Sequence, residues 1–215
     1  MKSGVERLLH QPALRKALKG HKVGLLAHPA SVTRDLTHTM DALASIGGIN
    51  LAAAFGPQHG LRGEKQDNMV ESSDYRDPVH GIPVFSLYGE VRRPTPEMID
   101  HCDVILVDLQ DLGCRIYTFI TTLLYMLEAA HESGKKIIVL DRPNPAGRPV
   151  EGLTLRPGWE SFVGAGPMPM RHGLTLGEMG LWFIRNRNLN VDYEVIEMQG
   201  WQPEVGQIGR ASCRA

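Results

Sequence analysis

Six short apolar runs, each closed by a polar turn and followed by a helical pattern, constrain this chain more than any other feature. They are Lys22–Ala27 (KVGLLA), Ile49–Phe55 (INLAAAF), Pro83–Leu87 (PVFSL), Asp103–Leu109 (DVILVDL), Lys136–Leu140 (KIIVL) and Tyr193–Met198 (YEVIEM). Runs that are apolar on both faces suit parallel strands covered on both sides by helices. Helical patterns lie between them. Val5–Leu18 places Leu8, Leu9, Leu14 and Leu18 near one face, with Pro12 as a break. Leu36–Ile46 follows Asp35 as a candidate cap, and Ile116–Glu132 carries Phe119, Leu123, Met126, Leu127 and Ala130 before Gly134. Leu176–Arg187 starts at Thr175 with Glu178 placed for a capping box. Strands alternating with helices predict an α/β fold, an open, mostly parallel sheet with helices on both faces.

Composition narrows the function classes. Lys plus Arg is 23 and Asp plus Glu is 24, a net charge of −1. A chain without basic excess is a poor partner for a nucleic-acid backbone. No apolar run reaches the roughly 18 residues of a membrane span, and the start lacks the apolar core of a signal peptide. The expected location is therefore cytoplasmic, or secreted or periplasmic if the N-terminus is incomplete. Cys102, Cys114 and Cys213 form neither a disulfide framework nor a CxxC metal site. The last residues, 208–215, read as a translated library adaptor, so they are set aside as a non-native tail. The expected organisation is an N-terminal helical segment over 1–21 and one domain over 22–207, with the natural protein continuing differently beyond Gln207.

The polar residues gather just after the strands. Ligands of open α/β sheets bind beyond the carboxyl ends of the strands. The first strand exits into His28-Pro29-Ala30-Ser31, the second into Gly56-Pro57-Gln58-His59-Gly60-Leu61-Arg62-Gly63-Glu64. The strand at 103–109 exits through Asp108, Gln110, Asp111, Cys114, Arg115 and Tyr117, and the next through Asp141-Arg142-Pro143-Asn144. One edge would then hold carboxylates, guanidiniums and imidazoles together, which suits a polar substrate with hydroxyls and an anionic group. Each turn also has a plainer reading. Asp141-Arg142 can be an internal ion pair, Arg115 can hold a nearby carboxylate, His59 can fill a tight turn, and Asn144-Pro145 is a common turn starter. Four such turns at equivalent positions favour function. No GxGxxG, GxxxxGK, GxSxG or HExxH occurs, so no cofactor or metal is expected.

The strings GLLAHPASVT, FGPQHGLRGE, IPVFSLYG, DLQDLGCRIYTF, VLDRPNPAGRPVEG and MRHGLTLGEM occur in this order. Together they resemble the peptidoglycan exo-β-N-acetylmuramidase family of NamZ type, from about Val23 to Trp201. The resemblance implies a Rossmann-like first domain, with a smaller second domain of the same chain missing here. It implies release of N-acetylmuramic acid from non-reducing ends of peptidoglycan fragments. Where the family commonly has Pro-Glu-His-Gly, with the Glu as leading catalytic candidate, this sequence has Gln58. An amide cannot exchange a proton as a carboxyl group does. Hydrolysis of a glycosidic bond normally uses two carboxyl groups. The expected catalytic set is therefore Glu64 and Asp111, with His59 as an orienting partner. Substrate contacts would come from Gln58, Arg62, Asp108, Gln110, Arg115, Tyr117, Asp141, Arg142, Asn144 and His172, with Arg115 or Arg142 on the lactyl carboxylate. Two alternatives stand beside this: a sugar-binding domain that lost catalysis through Gln58, and another small-molecule hydrolase on the same scaffold. A second domain would leave an apolar face, expected near Trp182 or Trp201.

Overall fold

A computed structural model describes residues 1–63 and 71–202. Seven strands form one sheet: β1 Lys22–Ala27, β2 Asn50–Gly56, β3 Tyr75–Arg76, β4 Pro83–Ser86, β5 Val104–Asp108, β6 Lys136–Leu140 and β7 Tyr193–Ile196. Their order is β3-β4-β2-β1-β5-β6-β7. All neighbours are parallel except the short edge strand β3, which runs antiparallel to β4. The six apolar runs account for every parallel strand. The edge strand β3 was not foreseen, because two exposed residues carry no periodicity.

Among the described residues five α-helices cover the sheet: α1 Gly4–His10, α2 Thr39–Ser45, α3 Pro96–Ile99, α4 Phe119–Ser133 and α5 Leu176–Arg187. Two cores result. On one face Val5, Leu8, Leu18, Met40 and Leu43 pack against Val23, Leu25, Leu106, Ile138 and Leu140. On the other, Ile99, Leu123, Met126, Leu127, Met179 and Phe183 pack against Phe55, Ile105, Val107, Ile137 and Val139. Alternate residues of β5 thus serve opposite cores, and all five of its residues are buried. Gly134 ends α4 in the left-handed conformation, and Thr175 with Glu178 closes the capping box of α5, both as expected. Pro12 does split the first helical pattern: α1 stops at His10, and a 3-10 turn covers Leu14–Leu18. The cap of α2 is a correction. His38, not Asp35, accepts the Met40 N–H, and the helix starts at Thr39. Asp35 instead bonds Thr33 and Thr37 in the preceding loop, where Leu36 takes a left-handed φ of 65°. No helix among the described residues is long and apolar enough to cross a membrane.

Candidate active site

The chain winds outward in both directions from β1, so strand order reverses between β1 and β5. A crevice at the carboxyl ends of such a pair is the usual ligand position of this architecture. Here the strand ends are tied together by a buried ion pair. Arg142 donates to both oxygens of Asp108, from Nε at 2.5 Å and from an Nη at 2.8 Å, and to the Val32 carbonyl at 2.9 Å. Thr39 donates to Asp108 Oδ2, and the Ser31 hydroxyl to the Asp108 carbonyl. His28 stacks edge-on against Phe119 and accepts the Gln110 N–H at Nε2, 3.0 Å away. Burial holds the His28 imidazole down at about 4, although Asp108 pulls the other way. His28 is thus a neutral acceptor that fixes the start of the turn after β5.

Beyond that pair three segments interlock. The Gln110 amide donates to the carbonyls of Asp111 and Pro143. Asn144 accepts the Ala146 N–H and donates to the Leu174 carbonyl. Gly113 sits against Asn144 with φ of 79°, and a Cβ there would lie 2.1 Å from Asn144 Oδ1, so the motif requires glycine at this position. The turn after β5, the turn after β6 and the segment entering α5 are thereby tied into one rim. At its centre stand Asp111 and His172, only 3% and 5% exposed. The Leu174 N–H donates to His172 Nδ1, which places the ring proton on Nε2. That Nε2 lies 3.2 Å from Asp111 Oδ2, at ion-pair distance but without hydrogen-bond alignment. Oδ2 accepts the Gly113 N–H, whereas Asp111 Oδ1 is buried with no partner among the described residues. A buried carboxylate oxygen left unsatisfied beside an imidazole N–H is costly, and such groups concentrate where a ligand supplies the missing bond.

Gln58 reaches the same neighbourhood through Thr118, whose hydroxyl donates to Gln58 Oε1 at 3.0 Å. Tyr117 lies beside Asp111. Burial first, and the Asp111 charge second, push its phenol above the usual range. Gln58 and His59 occupy the middle of a turn closed by Gly60 N–H to Pro57 C=O at 2.9 Å, with His59 at φ of 74°. A side chain held in a conformation that favours glycine is a stored strain of the kind found at functional turns.

The other expected contacts go elsewhere. Arg62 grips Asp41 bidentately at 2.7 Å, where His80 also bonds. Arg115 donates from one Nη to the carbonyls of Leu153 and Met168. Arg115 and Arg142 therefore both hold internal partners. Asp141 also departs from the cluster. Its Oδ1 accepts the Gly177 N–H at the start of α5, beside a separate cavity of about 310 Å³ bounded by Thr175, Glu178, Val195 and Trp201. Glu64 and the 208–215 tail, with Cys213, lie outside the described residues. His38, Thr39 and Thr118 are the contributors that sequence reading missed. Hydroxyls and an imidazole at helix starts carry no spacing signal of their own. Among the described residues no group of three or more His, Cys, Asp or Glu is arranged to hold a metal ion.

Two of the buried perturbed groups, Asp141 and His28, give opposed pH dependences. Burial raises Asp141 to about 6, against the Gly177 N–H bond that lowers it. Its folded form binds the proton more tightly than the unfolded form, so its contribution is full below pH 4 and is lost as pH rises through 6. His28 falls from 6.5 to about 4, so its contribution is full above 6.5 and is lost as pH falls through 4. The two slopes oppose each other over the same interval. We expect Asp141→Asn to unmask stability that rises from pH 4 to 6.5, and His28→Gln to unmask stability that falls. Chemical denaturation at several pH values checks both signs.

The sequence matches the family described as exo-beta-N-acetylmuramidase NamZ, N-terminal, over residues 23–207. Among curated proteins, the peptidoglycan beta-N-acetylmuramidase NamZ of Bacillus subtilis (strain 168) is 42% identical over 206 residues, covering 95% of this chain and 49% of that protein. Two crystal structures of DUF1343 family proteins from Bacteroides fragilis NCTC 9343 share the fold. One has a TM-score of 0.86 at 40% identity and covers 95% of this chain and 51% of its own. The other has 0.81 at 30% identity, with 96% and 54% covered. The chain thus spans about half the length of the relatives it matches.

Proposed function

This chain belongs to the exo-β-N-acetylmuramidase NamZ family, as that family's N-terminal part, and from that premise we propose that it is the half of a glycosidase that carries the acid–base group. The substrate we assign is a peptidoglycan fragment, from whose non-reducing end N-acetylmuramic acid is released. One observation carries the reading: the buried Asp111–His172 pair at the rim of the crevice, with Asp111 Oδ1 unpartnered. In this reading Oδ1 meets the glycosidic oxygen or the attacking water, with the His172 ring 3.2 Å from Oδ2 on the other side of the same carboxylate. Tyr117 lines the approach with an aromatic ring and a hydroxyl. His28 and the Arg142–Asp108 pair take no part in proton transfer and hold the turn that presents Asp111.

Glycoside hydrolysis commonly needs a second carboxyl group. The turn after β2 is the place for it, and Gln58 stands there with its amide on Thr118. A sugar-binding role without turnover is the reading Gln58 itself favours. The deciding experiment uses the chain extended by the C-terminal portion of its Bacillus subtilis relative. Release of chromophore from a chromogenic N-acetylmuramide supports the enzyme. With Glu64 as the second carboxyl group, Gln58→Glu changes little or crowds the site with like charge. An extended chain that binds the sugar without turnover, and gains turnover with Gln58→Glu, would overturn the enzymatic reading of the natural sequence.

A further inference from the structure

Gln58 presents hydrogen-bond donors from a rigid base. Its turn doubles back on the end of β2: a Cβ on Gly56 would lie 2.8 Å from the Leu61 nitrogen and 3.1 Å from the Gly60 carbonyl carbon. Leu61 is fully buried and pins the far side of the turn in the core, and Gly60 takes a φ of 79° that favours glycine. Thr118 holds the side chain from the start of α4. Thr118 is itself fixed, because its carbonyl accepts both the N–H and the hydroxyl of Thr122 in the first turn of that helix. With Oε1 taken by the Thr118 hydroxyl, the Gln58 nitrogen is directed away from Thr118. Gln58 makes no other hydrogen bond among the described residues, so both N–H groups of this half-buried amide are unpartnered there. By contrast, the guanidiniums of Arg62, Arg115 and Arg142 already hold internal partners.

We infer that Gln58 is a specificity-determining residue, whose amide nitrogen donates to the acetamido carbonyl of an N-acetylated sugar. The inference rests on the sugar-binding reading of this crevice and deepens it. Polarity decides the partner. N–H donors call for an acceptor oxygen, and N-acetylmuramic acid offers two strong kinds, the acetamido carbonyl and the lactyl carboxylate. Asp111 decides between them. It acts electrostatically on Tyr117, the residue before Thr118, so the neighbourhood already holds a carboxylate. A second anion beside it would be repelled, whereas a neutral carbonyl is not. A sugar whose amino group is free and protonated would set donors against donors and leave the amide N–H groups unpaired, which is how a hydrogen-bonding site rejects a ligand lacking the right group. The crevice therefore separates acetylated from de-N-acetylated glycan. Glutamate at this position would keep the acceptor for Thr118 and reverse the polarity of the other atom alone.

Titration of the ¹⁵N-labelled chain with N-acetylmuramic acid, N-acetylglucosamine and muramic acid tests it. The side-chain NH₂ signals of Gln58 are assigned by their loss in Gln58→Glu. Both N-acetylated sugars should move those signals and bind roughly tenfold more tightly than muramic acid, about the weight of one hydrogen bond left unmade. Gln58→Glu should reverse the order, because a carboxylate accepts from the ammonium and has no donor for the carbonyl. Thr118→Val should retain binding and narrow the preference severalfold, because it frees the amide to rotate. Gln58 signals moved by muramic acid and not by N-acetylglucosamine would make the lactyl carboxylate the partner and overturn the inference. So would unmoved Gln58 signals with saturable shifts at Asp111 and His172, an outcome that leaves the sugar-binding reading standing. Binding of none of the three sugars would overturn both.

Discussion

In the extended, two-part form, Asp111→Asn is expected to lower turnover of an N-acetylmuramide by roughly 10²–10⁴-fold, the usual cost of losing a general acid or base. The amide keeps the acceptor for the Gly113 N–H, so the turn should keep its shape. The loss should therefore fall on kcat, with stability near that of the parent. His172→Gln should cost less, because it removes only the neighbour beside the carboxylate. Glu64→Gln belongs in the same series. Activity untouched by Glu64→Gln would remove it from the mechanism. Activity untouched by Asp111→Asn would remove the pair on which the functional reading stands.

The largest effect on stability is expected from Arg142→Met. It would leave the Asp108 carboxylate buried with only Thr39 opposite it, a change that costs about 3–5 kcal/mol when one partner of a buried pair is removed. Asp108→Asn should cost a similar amount by stranding the guanidinium. The double variant should recover part of the loss, because neither charge is then left unpaired. Urea denaturation of the four proteins gives this cycle directly. Additive losses in the double variant would show that the two residues act separately.

The fold was legible because its signals are local. Each parallel strand announced itself as an apolar run, and the caps at Gly134 and Thr175 depend on residues within one helical turn. Legibility failed where the choice depends on distant partners. Asp35 looks like a cap in sequence, but Thr33 and Thr37 claim it, and the helix begins under His38. At the candidate site, the turn residues share the carboxyl edge of the sheet, yet their bonding partners divide in a way that spacing cannot reveal. Arg142 and Asp108 are adjacent to strand ends on β6 and β5, so only the register of the sheet shows that they neutralise each other. Asp141, one residue away from Arg142, turns instead to the N-terminus of α5. Alternation along an extended chain sends consecutive side chains to opposite sides, which is why Asp141 and Arg142 end in different surroundings.

The central claim is that the sugar binds at the rim around Asp111 and His172. Titrating N-acetylmuramic acid into the ¹⁵N-labelled chain, with amide shifts recorded at each step, tests it most directly. The account predicts saturable shifts centred on Gln110, Asp111, Gly113, His172 and Leu174, with the cavity beside Thr175 and Trp201 silent. Shifts centred instead on that cavity, or on the groove between α1 and α2 lined by Glu6, His10 and Arg34, would contradict it.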